Sequence, residues 1–562
     1  MAPSLNTGNH IMDSRQTFRA LTECETAQLE QQGNRADDWS GVRICDGTDL
    51  GAIWHNRFGS GVDIARVARL ADSRVEQCSI GDGTVVDSVH LLRGYDIGAG
   101  CRIDGVGRMT FGGAPLEVMN ENGGRAIAAM PGMTVGDAYL WARYRGRKAL
   151  MQRLEQWASA GRRGSVGDGT VIENAIAVED GVMGPACSIG HGVIAVRFLL
   201  GEHVHLEYGL RLNDTVVGDN STLARCEVGN SMVFPAHEQH HNNSFLIAAL
   251  VMGQSNVAAG CTIGSNHNSR TADNELAAGR GFWPGLCCSF KHSSRFASYC
   301  LLAKGDYPAE LDIRLPFALV NNNVGQDRLE VMPAYWWMYN MYALDRNGRK
   351  FAARDKRTVS TQHIEFDPLA PDTAEEILHA MALLRRWMAE ARDGVVLAEG
   401  MEKGKRPVVI LKAREGLQAY EDMLVYYAMK TLPPTFSHRV ADEGLREWVN
   451  IGGQLVTRAD IERLIADVEQ GTIDGWDALH GRMDALWEAY PAQREAHAYG
   501  VLCRLSGVDR LDEALWQHYR GRYAAVQQYI EAQKKASREK DDINPFRRMT
   551  YWDDAEREAV IS

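Results

Sequence analysis

Three short stretches of the chain concentrate the residues that could carry chemistry. The first, "FPAHEQHHNNS" at 234–244, sets His237, His240 and His241 beside Asn242, Asn243 and Ser244, in a protein with 17 histidines. The second, "GSNHNSR" at 264–270, adds Asn266, His267, Asn268 and Arg270, and the third, "FKHSSR" at 290–295, adds Lys291, His292 and Arg295. Imidazole titrates near working pH and so suits a general base. Side-chain amides orient a substrate, and Arg or Lys binds a phosphate or carboxylate. His241 is the first choice of base, His267 the second and His237 a third. Asn242, Asn243, Asn266, Asn268, Arg270, Lys291, His292 and Arg295 are the candidate substrate contacts. The same imidazoles could instead hold a metal, or merely solvate corners of a scaffold.

What would position them is a repeat. An aliphatic residue followed by Gly recurs at Ile80-Gly81, Ile97-Gly98, Val166-Gly167, Ile189-Gly190, Leu200-Gly201, Val217-Gly218, Val228-Gly229, Met252-Gly253 and Ile263-Gly264. The steps are 17 (80 to 97, 200 to 217) or 11 (189 to 200, 217 to 228, 252 to 263), each one short of a multiple of six. Such spacing predicts a three-sided coil of short strands, with inward aliphatics and with Gly or Asn accepting positive φ at the corners. Cys78, Cys187, Cys226 and Cys261 recur just before the aliphatic-Gly pair and fill a small inward slot.

The repeat resembles the hexapeptide-repeat, left-handed β-helix superfamily over residues 75–320. Nearly the whole chain, through "FWPGLCCSFKHSSRFASYCLLAKGDYPAELDIRLPFALVNN", "GRMTFGGAPLEVMNENGGR" and "SREKDDINPFRRMTY", resembles an uncharacterised bacterial family of long β-helix proteins. The superfamily resemblance implies a left-handed parallel β-helix, a homotrimer with sites between subunits, and a corner His acting as base. It also implies acyl or acetyl transfer from a coenzyme A thioester to a hydroxyl or amine of a phosphorylated or nucleotide-linked sugar. A metal-dependent lyase or hydratase and a non-catalytic trimeric sugar-binding scaffold are the alternatives. The carbonic-anhydrase branch spaces two ligands as His-x-x-x-x-His. His237 and His241 are one residue short of that, so no metal is expected.

The remaining segments frame the coil, which is expected over 71–357. Residues 1–70 read as a lead-in, with a helix over Thr22–Gln31 opened by a capping signal. Leu140, Tyr144, Leu150, Leu154 and Trp157 predict a helix inserted at about 137–162, either a cap or oligomer contact or a basic lid. From 358 to 562 an all-helical domain is expected, with helices near 372–388, 415–430, 458–468, 475–489, 491–505 and 512–537. Trp336, Trp337, Tyr339 and Tyr342 read as coil-to-cap core, and the tail "NPFRRMTYWDD" as a docked segment.

Composition narrows the classes further. The 562 residues are enough for two to four structural units. Net charge is −12 with no basic stripe, which argues against nucleic acid as partner. The longest apolar run, "FLIAALVMG", is too short to span a bilayer, and the start of the chain lacks a signal-peptide core. Eleven cysteines without a C-x-x-C pair fit a reduced compartment, so the expected location is cytoplasmic, with no membrane partner.

Overall fold

A computed structural model describes residues 17–159, 162–264, 275–435 and 446–561. It shows a parallel β-solenoid of about 16 turns followed by a helical region. The rung follows from the backbone register: Val85 pairs with Arg102, Ser188 with His205 and Ile194 with Arg211, each 17 positions on. Of the repeated aliphatics, Ile80, Ile97, Val166, Ile189, Leu200, Val217, Val228 and Ile263 are buried inside the coil, as are Cys78, Cys187, Cys226 and Cys261. Met252 departs from the pattern and packs outward against the inserted helices.

The corners are stacked left-handed residues. Asn174, His191, Tyr208, Arg225 and Asn243 share φ between 54° and 61°, and succeed one another a rung apart. A second column runs through Asp180, Arg197 and Asp214, the middle residues of the seven-residue strands Ala177–Met183, Ile194–Leu200 and Arg211–Val217. Each of these strands therefore turns a corner without leaving the hydrogen-bond ladder. Non-glycine residues in this conformation are strained, so the rungs above and below must enforce it.

The coil interior is matched in volume rung by rung. Tyr95, Gly164, Gly181 and Phe198 lie in one column. The Tyr95 ring occupies the space a Gly164 side chain would need, its hydroxyl accepts the Gly181 N–H at 3.1 Å, and the Phe198 ring fills the space beside Gly181. A Cβ at Gly181 would stand 2.2 Å from that ring. Gly181→Ala is therefore expected to destabilise the chain by about 1–3 kcal/mol through overpacking, read as a lowered denaturation midpoint. Gly181→Ala combined with Phe198→Leu should recover part of the loss.

The solenoid reaches further back than the expected boundary at 71. Arg35–Ala36 already pairs in parallel with Arg57–Phe58, and Val42–Ile44 with Val62–Ile64. In these rungs Ile64 and Ile44, the residues in register with Ile80, are followed by Ala65 and Cys45 in place of Gly. The open end is closed by Phe18–Ala20, antiparallel to Arg43–Cys45, and by the helix Glu23–Gln31 with Leu29 fully buried. Thr22 and Glu25 form its capping box.

The insertion contains a hairpin, Leu116–Glu117 with Ala126–Ile127, and two helices, Val135–Arg143 and Lys148–Ala158, in place of the one expected. Gly146 lies in the break and disfavours helix continuation. Leu140, Trp141, Leu150 and Leu154 pack between outward coil residues such as Leu199, Val216 and Phe234 and the later segment Val449–Val468. Two of its arginines are paired within the protein: Arg147 with Glu462 and Glu469, and Arg143 with Glu275. The insertion joins the outer face of the coil to the later segment 449–468.

The C-terminal region is helical with β additions. Its helices Pro371–Ala389, Ala413–Thr431, Arg458–Gln470, Trp476–Ser506 and Glu513–Ile543 are joined by the strand Val408–Ile410, which extends the coil's last sheet, and by the hairpin Trp448–Thr457. Helix Trp476–Ser506 continues through Pro491, where two helices were expected. Packing on both sides of the proline, by Tyr490 and by Ala498, Tyr499 and Leu502, compensates for the one lost hydrogen bond. Trp336 and Trp337 are buried in the coil-to-cap core, while Tyr339 and Tyr342 lie at its edge. The tail is not docked: Phe546, Met549 and Trp552 are 77%, 75% and 92% exposed. No helix among the described residues is long and apolar enough to cross a membrane.

Candidate functional site

The 234–244 stretch leaves one sheet face and enters the corner column of Asn174, His191, Tyr208, Arg225 and Asn243. It splits into a buried and an exposed part. His237 is completely buried, its Nε2 3.2 Å from Gln239 Oε1 and its Nδ1 without a partner among the described residues. Gln239 passes the contact on to Ser244, whose hydroxyl points back to the His241 carbonyl. His237 thus braces the inside of the corner and is withdrawn from any outside ligand, which removes it as a candidate base. Burial pushes its imidazole down to about 4. The unfolded imidazole titrates near 6.5, so the stabilising neutral form is fully populated above that pH. Stability is then lost as pH falls from 6.5 through about 4, by roughly 3 kcal/mol. His237→Gln should flatten this segment of the stability–pH curve, as measured by urea melts between pH 7 and pH 4.

The exposed part is different in kind. The His240 and His241 rings lie 4.5 Å apart, and His240 Nδ1 is 3.1 Å from Glu238 Oε2, within ionic reach though not aligned as a hydrogen bond. Glu238 also has Lys350 Nζ at 3.7 Å and Arg354 at 3.8 Å, both from the helix Met341–Ala353 that crosses this face. His241, Asn242 and Asn243 are exposed, and Asn243 stacks in the corner column below Arg225, whose carbonyl accepts its N–H. The Arg225 guanidinium lies 4.7 Å over the Tyr208 ring, and His191 stacks on Tyr208 at 5.2 Å. Arg225 makes no ion pair among the described residues, and its guanidinium is held over Tyr208, one rung before Asn243.

The other sequence candidates do not converge here. His292 is buried, with Nε2 3.2 Å from the Ile247 carbonyl, and Lys291 pairs with Glu310 at 3.3 Å. Arg295 lies on a different sheet face, opposite helix Pro371–Ala389. Asn266, His267, Asn268 and Arg270 fall outside the described residues. Glu238, Arg225, Tyr208 and His191 were missed, although a 17-residue step from His191 through Tyr208 to Arg225 was there to be read. Among the described residues no group of three or more His, Cys, Asp or Glu is arranged to hold a metal.

A second cleft, of about 300 Å³, lies between the insertion, the coil and the strap 355–362, and is lined by Asp168, Glu202 and Asp219. These acids are consumed internally. Glu202 accepts the N–H groups of Thr358, of Val359 at 3.0 Å and of Ser360 at 2.8 Å, and Asp219 accepts Arg357 at 2.9 Å. Burial still pushes Asp219 up to about 6. The arrangement pins the strap to the coil.

Together these observations define a parallel β-solenoid, locked to a helical region, that exposes an imidazole-rich corner in the column of an arginine stacked on Tyr208. The chain belongs to the family described as "Domain of unknown function (DUF4954)", whose model matches residues 18–388, from the first strand through helix Pro371–Ala389. A second model, "Domain of unknown function (DUF6819)", matches residues 435–517. An "Uncharacterized protein" of Treponema pallidum (strain Nichols) is 38% identical, over 97% of this chain and 90% of that relative.

Proposed function

We propose that the chain is an acyl- or acetyltransferase of the left-handed, hexapeptide-repeat type, acting at the exposed corner. The observation that carries this reading is the Glu238–His240 contact at 3.1 Å beside His241. In the substrate complex this contact would have to close into a hydrogen bond from Nδ1–H, which holds the tautomer that leaves Nε2 free to take a proton. His240 thereby takes the place first given to His241, which becomes its neighbour on the solvent side. The acceptor hydroxyl or amine attacks the thioester carbonyl, His240 removes the proton, and the imidazolium returns it to the departing thiolate of coenzyme A. Asn242 and Asn243 orient the acceptor, and Arg225 binds its phosphate or nucleotide. A homotrimer in the cytoplasm, with a neighbouring copy closing the corner, completes the proposal.

Calorimetric titration with coenzyme A and sugar nucleotides tests it. Wild-type protein should bind at least one of them, and Arg225→Ala should weaken that binding by about 10-fold or more. Unchanged binding in Arg225→Ala contradicts the reading.

A non-catalytic sugar-binding scaffold is the second reading. It is favoured by the burial of His237 and His292, which leaves only part of the histidine set at the surface.

A further inference from the structure

Arg295 opens a separate question. It lines a cleft of about 380 Å³ between the last turns of the coil and the start of helix Pro371–Ala389, away from the imidazole corner. The sheet supplies Arg295, Ala297 and Arg314, and the helix supplies Glu376 and His379. The acids around it are already engaged. Glu375 is held by His497 at 2.8 Å and by Arg504 at 2.9 Å, Asp312 by Arg314 at 2.5 Å, and Glu376 accepts the Ser298 N–H at 2.9 Å and hydroxyl at 3.2 Å. Arg295, by contrast, is exposed and makes no ion pair or side-chain hydrogen bond among the described residues, and His379 is exposed beside it. The cleft therefore has cationic capacity that the protein does not use. Ala297 keeps its floor low.

We propose that this cleft is a second binding site, for the carboxylate or phosphate group of a small molecule, with Arg295 as its principal anchor and Arg314 and His379 at its rim. Guanidinium groups match such oxyanions with paired N–H donors. Glu376 does not oppose an anion as an ordinary carboxylate would, because desolvation and nearby Asp372 push it up to about 7, so near neutrality it is protonated part of the time.

The test is calorimetric titration of the full chain with inorganic phosphate and, separately, with succinate. The two arms distinguish a phosphate site from a carboxylate site, and binding of either is the expected result. Arg295→Ala should weaken it by about 10-fold or more. Ala297→Leu, which keeps every charge and raises the floor, should weaken it as well. Thermal melts confirm that each variant is folded. The proposal is overturned if neither anion binds, or if Arg295→Ala and Ala297→Leu bind it as tightly as wild type.

Discussion

Arg280→Met is expected to lower stability by about 3–5 kcal/mol, the cost of leaving one member of a buried ion pair without its partner. The side chain is 2% exposed. Its Nε and Nη2 donate to the two Asp372 oxygens at 2.9 and 2.8 Å, and Nη1 donates to the Asp367 carbonyl at 3.1 Å and the Glu365 carbonyl at 3.3 Å. Coil, strap and the first turn of helix Pro371–Ala389 thus meet on one guanidinium. Arg494 extends the junction to helix Trp476–Ser506 through Glu365 at 3.0 Å and Asp367 at 2.7 Å. In a urea melt the Arg280→Met transition should move to lower denaturant and separate the helical region from the solenoid. Adding Asp372→Asn should recover part of the loss, because the abandoned carboxylate is then neutral. Equal stability of wild type and Arg280→Met would show that the apolar contacts alone hold the two parts together.

His240→Ala should reduce acyl transfer by roughly 10² to 10⁴-fold while leaving the melting temperature close to wild type. The small effect on stability follows from position: His240 is 39% exposed on its side chain, and among the described residues its ion-pair and ring partners are Glu238 and the neighbouring His241. Glu238→Gln should cost less, since it removes orientation and keeps the base. His237→Gln should show the reverse behaviour, with altered acid stability and turnover retained. A His240→Ala enzyme as fast as wild type would remove this imidazole from the chemistry.

The coil was legible because its physics repeats. An inward aliphatic such as Ile189 and a corner residue such as His191 must recur at a fixed step if stacked rungs are to pair, and the 17-residue step is visible in the sequence. Rungs before residue 71 were missed because Ile64 and Ile44, the residues in register with Ile80, are followed by Ala65 and Cys45 where Ile80 is followed by Gly81. The Tyr95–Gly164–Gly181–Phe198 column was equally hidden, since glycines that make room for rings look like glycines that make turns.

The site was half legible. Residue chemistry singled out 234–244 as a candidate site but could not tell the buried His237 from the exposed His240, because which side of a corner a residue takes depends on where the rung loses a residue. Grouping His292 and Arg295 with that corner failed for the same reason: six residues of rung carry a side chain to another face. The undocked tail was misjudged because apolar content was read as burial, while helix Glu513–Ile543 carries Phe546 and Trp552 away from the body.

The most direct measurement is release of free thiol from acetyl-coenzyme A by the wild-type chain, presented in turn with amino-sugar phosphates and nucleotide-linked sugars. The account predicts acceptor-dependent release that saturates with one of these classes and falls at least 100-fold in His240→Ala. Release that does not depend on any acceptor, or none above the protein-free rate across the whole set, would contradict acyl transfer at the corner.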